Sequence, residues 1–130
     1  MKEDWEQAVL AGDAATVGRM LDEGADIDAR DRHGQTALML AAHHGHHAMI
    51  ALLAGRGAAL DVTAKYGLSA LMLAIVAGHE AIAMRLAASG ANVTIRGTGA
   101  PGFAGKTAYD LALARGFTDL AATLHVDGIE

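Results

Sequence analysis

Four of the seven histidines stand close together in the segment His43-His44-Gly45-His46-His47. Imidazole nitrogens bind zinc, nickel or copper at about 2 Å, so this cluster raises the hypothesis of a metal site. Because a turn between two predicted helices divides the cluster, we expect the rings to fan outward, although His43 and His47 could converge. A third ligand of firm geometry is not evident. We therefore assign no metal and no cofactor, and keep as the alternative function a metal- or pH-responsive binding protein, since histidines gain charge near pH 6.

A second segment, Ala100-Pro101-Gly102-Phe103-Ala104-Gly105-Lys106-Thr107, fits a relaxed phosphate-binding loop with Ala in place of the first Gly. In such loops backbone N–H groups cradle phosphates and the Lys meets their charge. The function also needs a parallel sheet and an acidic magnesium ligand on another strand, and no such set of strands is visible in the sequence. The triplet Gly105-Lys106-Thr107 also recurs as Gly34-Gln35-Thr36 and Gly67-Leu68-Ser69, where the hydroxyl is expected to cap a helix. A repeated structural motif is the better interpretation.

The sequence offers no evident set of catalytic residues. The chain has no cysteine, and Ser69 and Ser89 stand at repeated positions that suit structural roles. The acidic pair Asp22-Glu23 lies at a predicted helix end, where a solvated face is the ordinary interpretation. Because no acid–base pair is accompanied by a cleft, we predict that the protein is not an enzyme.

The amino-acid composition narrows the remaining classes of fold and function. Of the 130 residues, 52% are hydrophobic but only 4% are aromatic, so the core must be built from Ala, Leu, Ile, Val and Met, which let helices approach closely. The net charge is −5 and no run of Lys or Arg is present, which disfavours nucleic-acid binding. The start of the chain lacks the pattern of a signal peptide, and the most apolar window, Leu68 to Ala77, is too short to span a bilayer. We expect a soluble, cytoplasmic monomer.

Glycines reveal an internal period of 33 residues. They recur in three parallel registers, which are Gly12, Gly45 and Gly78, then Gly24, Gly57 and Gly90, and finally Gly34 and Gly67. The next members of the first two registers, Gly116 and Gly128, follow after 38 residues, so five residues are inserted in the last unit. Such a period is typical of repeat architectures.

Each unit predicts two helices with a tight turn between them. Leu38, Ala41 and Ala42 recur at helical spacing before Gly45 interrupts the pattern, and a second stretch from Ala48 to Ala54 stops at Gly57. Segments such as 24–29 and 90–95 are expected to be extended arms with turn residues that lead into the next unit.

The repeated motifs resemble the ankyrin family. Gly34-Gln35-Thr36-Ala37-Leu38, Ala41-Ala42, Gly45-His46 and Gly57-Ala58 stand where that repeat has its GxTPL, AA, GH and GA signatures, and 67–71, 78–79 and 90–93 repeat the match one unit later. This sequence departs from the family in having Ala37, Ala70 and Ala108 for the usual proline, and Met39 and Met72 where His is frequent. The resemblance implies an all-α ankyrin-repeat solenoid with short β-hairpin arms, forming a single domain over 1–130 with repeats at about 1–30, 31–63, 64–96 and 97–130.

The resemblance also implies a non-enzymatic module that binds a partner protein or peptide. Members of this family typically bind through the arm tips and the exposed side of the first helix of each repeat, which together form a concave groove. Carried onto this sequence, these positions are Arg32, His33, Gln35, His43, His44, Lys65, Tyr66, Leu68, Val76 and Ala77. We expect Tyr66, Leu68 and Val76 to be exposed apolar anchors among basic groups, although Leu68 and Val76 could instead fold against their neighbours. In the inserted segment 97–104, Phe103 is expected either to cap the last repeat or to contact the partner.

Overall fold

The computed structural model describes residues 1–99 and 102–125, and within them the chain forms eight α-helices arranged as four helix–turn–helix pairs. The pairs are α1 (Glu3–Leu10) with α2 (Ala14–Asp22), α3 (Ala37–His44) with α4 (His47–Gly55), α5 (Ala70–Val76) with α6 (Glu80–Ala88), and α7 (Ala108–Ala114) with α8 (Thr118–Leu124). A short 3₁₀ turn, Lys65–Gly67, precedes α5. The predicted all-α solenoid is confirmed.

Buried hydroxyl groups fix where the first helix of each later pair begins. Thr36 and Ser69 accept hydrogen bonds from backbone N–H groups three residues on, at 3.3 and 3.4 Å. Thr107 forms a full capping box with Asp110 before α7. Such caps satisfy N–H groups that the helix itself leaves unpaired, and each contributes about 1 kcal/mol. The hydroxyl role predicted from the repeated triplets is thereby confirmed.

The helices pack in two rows. The first helices of the pairs contact one another along the stack, and so do the second helices. The core between the rows is built from small and aliphatic side chains, so the helices lie close together. Its largest fully buried members include Leu38, Met49, Ile50, Leu53, Leu71, Ile75, Ile82, Leu86, Leu120 and Leu124. Burying each leucine or isoleucine stabilises the fold by about 1.5–3 kcal/mol, so the repeated apolar positions are committed to packing.

Histidine side chains join neighbouring pairs at the turns between their helices. The Nε2 atom of His46 lies 2.9 Å from the carbonyl oxygen of Leu10, and that of His79 lies 3.2 Å from the carbonyl oxygen of His43. Each of these carbonyls belongs to the last turn of a helix, where backbone acceptors lack partners within the helix. The two histidines therefore bond one repeat to the next.

The arms before α3, α5 and α7 are turns, and in each of them one backbone hydrogen bond joins the start of the arm to its end. The donor–acceptor pairs are Asp31 to Gln35 at 2.9 Å, Ala64 to Leu68 at 3.2 Å and Gly97 to Lys106 at 2.8 Å. The first two pairs are one period apart, and the third encloses the five extra residues, so the insertion lies inside the third arm. Of the short β-hairpin arms that the resemblance implies, the described residues form the turns and an isolated bridge between Gly97 and Ala104, without strands.

No helix in the described ranges combines the length and the apolar character needed to cross a membrane.

Candidate functional site

The predicted contact residues fall into two groups on the structure. The arm-tip group lies in the turns before α3 and α5, and the helix-end group lies at the C-terminal ends of α3 and α5. One helix of eight residues, about 12 Å in length, separates the two groups. The arm-tip group comprises Arg32, His33, Gln35, Lys65 and Tyr66, and the helix-end group comprises His43, His44, Val76 and Ala77.

Leu68 does not belong to either group, and its predicted exposure is wrong. Its side chain is only 3% exposed and packs in the core. Gly67, with φ +68°, turns the chain back toward α5, so the apolar side chain that follows is directed onto the helices. Gln35 occupies the same repeat position and remains half-buried. Val76 and Ala77 are also half-buried, so the exposure expected for Val76 is partial.

Tyr66 has the most unusual backbone in the described residues. It is the one non-glycine residue there with positive φ, at φ +62° and ψ +19°, a conformation that costs about 1–2 kcal/mol for a residue with a Cβ atom. Its carbonyl oxygen accepts a hydrogen bond from the N–H of Thr98, at 2.7 Å, in the neighbouring arm. The side chain is 37% exposed. The arm contacts hold this strained turn, and the ring is thereby presented at the tip.

Two further groups surround the Tyr66 ring. The Nζ atom of Lys65 lies 4.9 Å from the centre of the ring, within range of a cation–π interaction. The Phe103 ring, from the inserted segment of the next arm, lies 5.4 Å away, centre to centre. Pairs of this kind contribute about 0.5–1.5 kcal/mol beyond their buried area. Phe103 is half-buried and also packs against the core, which favours the first of its two expected roles, capping of the last repeat, while contact with a partner stays a prediction.

The inserted segment is held on both sides of its loop. The guanidinium of Arg96 donates to the carbonyl oxygen of Gly105 at 2.7 Å, and the N–H of Gly105 donates to the carbonyl of Gly97 at 2.9 Å. A Cβ atom at Gly97 would collide with the Phe103 carbonyl, so glycine is required there. Residues 100 and 101 of the phosphate-loop-like segment lie outside the described residues. The rest of that segment closes the arm and caps α7, as the repeat interpretation predicts.

The helix-end group contains a crowded set of imidazoles. The rings of His43 and His44 are 5.2 Å apart, and those of His44 and His46 are 5.9 Å apart. Partial burial, followed by the nearby His43 and His46, lowers the pKa of His44 from its ordinary value. His46 is already bonded to Leu10 in the preceding repeat. Within 1–99 and 102–125, no three His, Cys, Asp or Glu side chains are grouped so as to hold a metal ion.

Sequence reasoning missed Leu10 as a surface residue. It ends α1, is 40% exposed, and stands one period before His43 and two before Val76. The repeat register was the indication in the sequence, since His43 and Val76, at the same position of the next two repeats, were predicted to lie in the groove. Leu10 therefore extends the helix-end group toward the first repeat.

A comparison with known protein families identifies the repeats. The family described as ankyrin repeats (3 copies) matches residues 5–97. The matched range covers the first three helix pairs from Trp5 of α1 onward, together with the arms that precede α3 and α5, and it ends at the start of the inserted segment.

Proposed function

Because the chain belongs to the ankyrin-repeat family, we propose that it is a non-enzymatic module that binds a partner protein or peptide through its concave face. Ankyrin repeats are generally protein–protein interaction modules, and the family is typically non-enzymatic. We take the concave face to comprise the arm-tip group and the helix-end group, and the first helix between them is buried from Ala37 to Ala42 in α3. The proposed contacts are Arg32, His33, Gln35, His43, His44, Lys65, Tyr66, Val76 and Ala77, together with Leu10.

The observation that carries this proposal is the presentation of Tyr66. Aromatic residues with few rotatable bonds supply much of the binding energy of protein interfaces. Tyr66 is held in a left-handed turn by the Thr98 N–H and lies beside the Phe103 ring. Because the contacts with Phe103 and Lys65 restrict the ring before a partner binds, binding would cost less side-chain entropy than it would for an unrestrained tyrosine. Backbone strain that neighbouring contacts maintain is frequent at functional sites, which supports the same interpretation.

Affinity capture from the native cell lysate tests the proposal. We would compare the wild type with Tyr66→Asn, because asparagine tolerates the left-handed conformation. Met84→Ala is the matched control, since Met84 is equally exposed, at 37%, and lies on α6 in the row of second helices. We expect a partner that the wild type and Met84→Ala retain and that Tyr66→Asn loses, with all three proteins melting alike. Equal retention by Tyr66→Asn would contradict binding at the arm tips.

A pH-responsive interface is the second candidate, and the crowding of His43, His44 and His46 favours it. Protonation of neighbouring imidazoles between about pH 8 and 5.5 would add positive charge at one end of the groove. Binding of the captured partner, measured across this range, should then change with pH, and the change should be smaller in His44→Gln. An affinity that stays constant between about pH 8 and 5.5 would rule out the pH-responsive interface and leave the first proposal unaffected.

A further inference from the structure

Charge is strongly segregated along this acidic chain. Residues 32–109 contain six Lys or Arg and two Asp or Glu, a net charge of +4, whereas the remainder contains four basic and thirteen acidic residues, a net charge of −9. Six of the seven histidines also lie within 32–109. The second repeat (31–63) contains two basic and two acidic residues and the third (64–96) three and one, so the positive excess lies in the third repeat and at Lys106 in the next arm, although the whole chain carries −5.

The acidic side chains of the arms are directed to the backbone of the protein itself. The carboxylate of Asp28 accepts from the N–H of Ala59 at 2.9 Å, and that of Asp61 accepts from the N–H of Asn92 at 2.7 Å. Asp31 accepts from two N–H groups of its own turn. These bonds join arms or close a turn, so the carboxylates have a structural use.

Within the described residues, the basic side chains at the arm tips are not bonded to the backbone in this way, and the Nε atom of Arg32 donates to Nε2 of the neighbouring His33 at 3.4 Å. Arg32 and Lys65 are exposed and stand one period apart, and Lys106 is exposed in the third arm. Within the described ranges the one ion pair joins Arg56 to Asp22, between the second helices α4 and α2. The arm-tip cations are therefore available to a ligand. The exposed Tyr66 ring beside Lys65 adds an apolar contact to them.

From this arrangement we infer that the concave face takes an extended, acidic peptide segment of a partner protein. The inference rests on the proposed function and narrows it to one chemistry. Adjacent repeats are about 10 Å apart, because packed helices have axes 8–10 Å apart. An extended peptide advances about 3.3 Å per residue, so carboxylates three residues apart reach Arg32 and Lys65 together. An apolar residue next to the second carboxylate would meet Tyr66.

Selection from random 12-residue peptides displayed on phage tests the inference with the full chain. We expect the wild type to enrich peptides with Asp or Glu at three-residue spacing beside an aromatic or aliphatic residue. The double variant Arg32→Glu, Lys65→Glu should lose this enrichment and bind the selected acidic peptides at least about tenfold more weakly. The matched control is Arg19→Glu, Arg85→Glu, which changes net charge equally on the second helices α2 and α6 and should keep the enrichment.

Each other outcome overturns the inference. Enrichment of neutral or basic peptides, absence of any enrichment, or equal binding by both double variants would reject an acidic peptide at the arm tips. Binding of a single-stranded oligonucleotide that depends on Arg32 and Lys65, without peptide enrichment, would identify nucleic acid instead. Dimerisation on raising the concentration, lost in Arg32→Glu, Lys65→Glu, would identify a second copy as the occupant. Capture that depends on Tyr66 but not on these charges would leave the proposed function standing.

Discussion

Replacing Gly45 by alanine tests whether the histidine bonds between repeats set the geometry of the stack. Gly45 ends α3 with φ +78°, and a Cβ atom built there would lie 2.8 Å from Cε1 of His79. Gly116 occupies the same position of the fourth repeat at φ +77°, with nothing within 4 Å of its Cβ direction. The two substitutions therefore share the backbone strain and differ in the contact with the next repeat.

The cost of each substitution follows from these distances. Left-handed backbone costs an alanine about 1–2 kcal/mol, part of which is offset because alanine restricts the unfolded chain, so Gly116→Ala should lose about 1 kcal/mol. Carbon atoms in contact prefer about 3.5–4.0 Å, so the His79 ring must move by about 0.7 Å in Gly45→Ala. Its bond to the His43 carbonyl, already 3.2 Å, would then be lost, at about 0.5–1.5 kcal/mol. We expect a total of about 1.5–2.5 kcal/mol for Gly45→Ala.

Urea unfolding followed by circular dichroism measures these differences in the free energy of unfolding, and a double-mutant cycle isolates the contact. In a His79→Ala background the imidazole is absent, so Gly45→Ala should cost only about as much as Gly116→Ala. Equal losses for the two glycines in the wild type, or an unchanged Gly45→Ala loss in the His79→Ala background, would refute the reasoning. Transitions must coincide by two probes, since repeat arrays can unfold in parts.

Two further predictions concern the helix caps and the histidine cluster. In the same urea assay, Ser69→Ala should lower the free energy of unfolding by about 1 kcal/mol, because it removes a helix cap. Thr107→Ala should lower it by up to about 2 kcal/mol, because it also breaks the capping box with Asp110. Ser89→Ala is the control, since Ser89 lies at an exposed helix end, and it should cost less than about 0.5 kcal/mol. Folding lowers the pKa of His44, so at acidic pH the folded state binds fewer protons than the unfolded state. His44 should therefore have no such effect on the free energy of unfolding near pH 7.5, and should lower it increasingly as pH falls through the ordinary histidine range. The melting temperature of His44→Gln should therefore fall less than that of the wild type between pH 7.5 and 5.5, and parallel pH curves for the two proteins would contradict this.

The helix boundaries were predictable because single residues determine them. A buried hydroxyl at Thr36 starts α3 and a left-handed glycine at Gly45 ends it, and both recur with the period. Either feature acts through backbone atoms close in sequence, so a repeated residue type is enough to indicate it. The position of the insertion was predictable for the same reason, because it leaves the flanking motifs intact.

The exposure of individual side chains was less predictable. Gln35 and Leu68 occupy equivalent positions, yet the amide remains half-buried and the leucine is buried. The period identifies the position of a residue in the arm, while its side chain decides whether water or the core is preferred. Tyr66 illustrates a second limit, since aromatic residues rarely adopt positive φ and only the contacts with Thr98 and Phe103 account for it.

The bonds between repeats at His43 and Tyr66 use the backbone carbonyl groups of these residues, so changing their side chains need not break those bonds. His79 bonds the carbonyl oxygen of His43 and leaves the His43 imidazole exposed. Thr98 likewise bonds the carbonyl of Tyr66 and leaves its ring at the surface. Because the neighbouring repeats hold these two residues through backbone hydrogen bonds, their side chains are positioned without taking part in those bonds. Substitutions at the arm tips should therefore alter recognition while changing stability little, which is the condition that the proposed charge-reversal experiment requires.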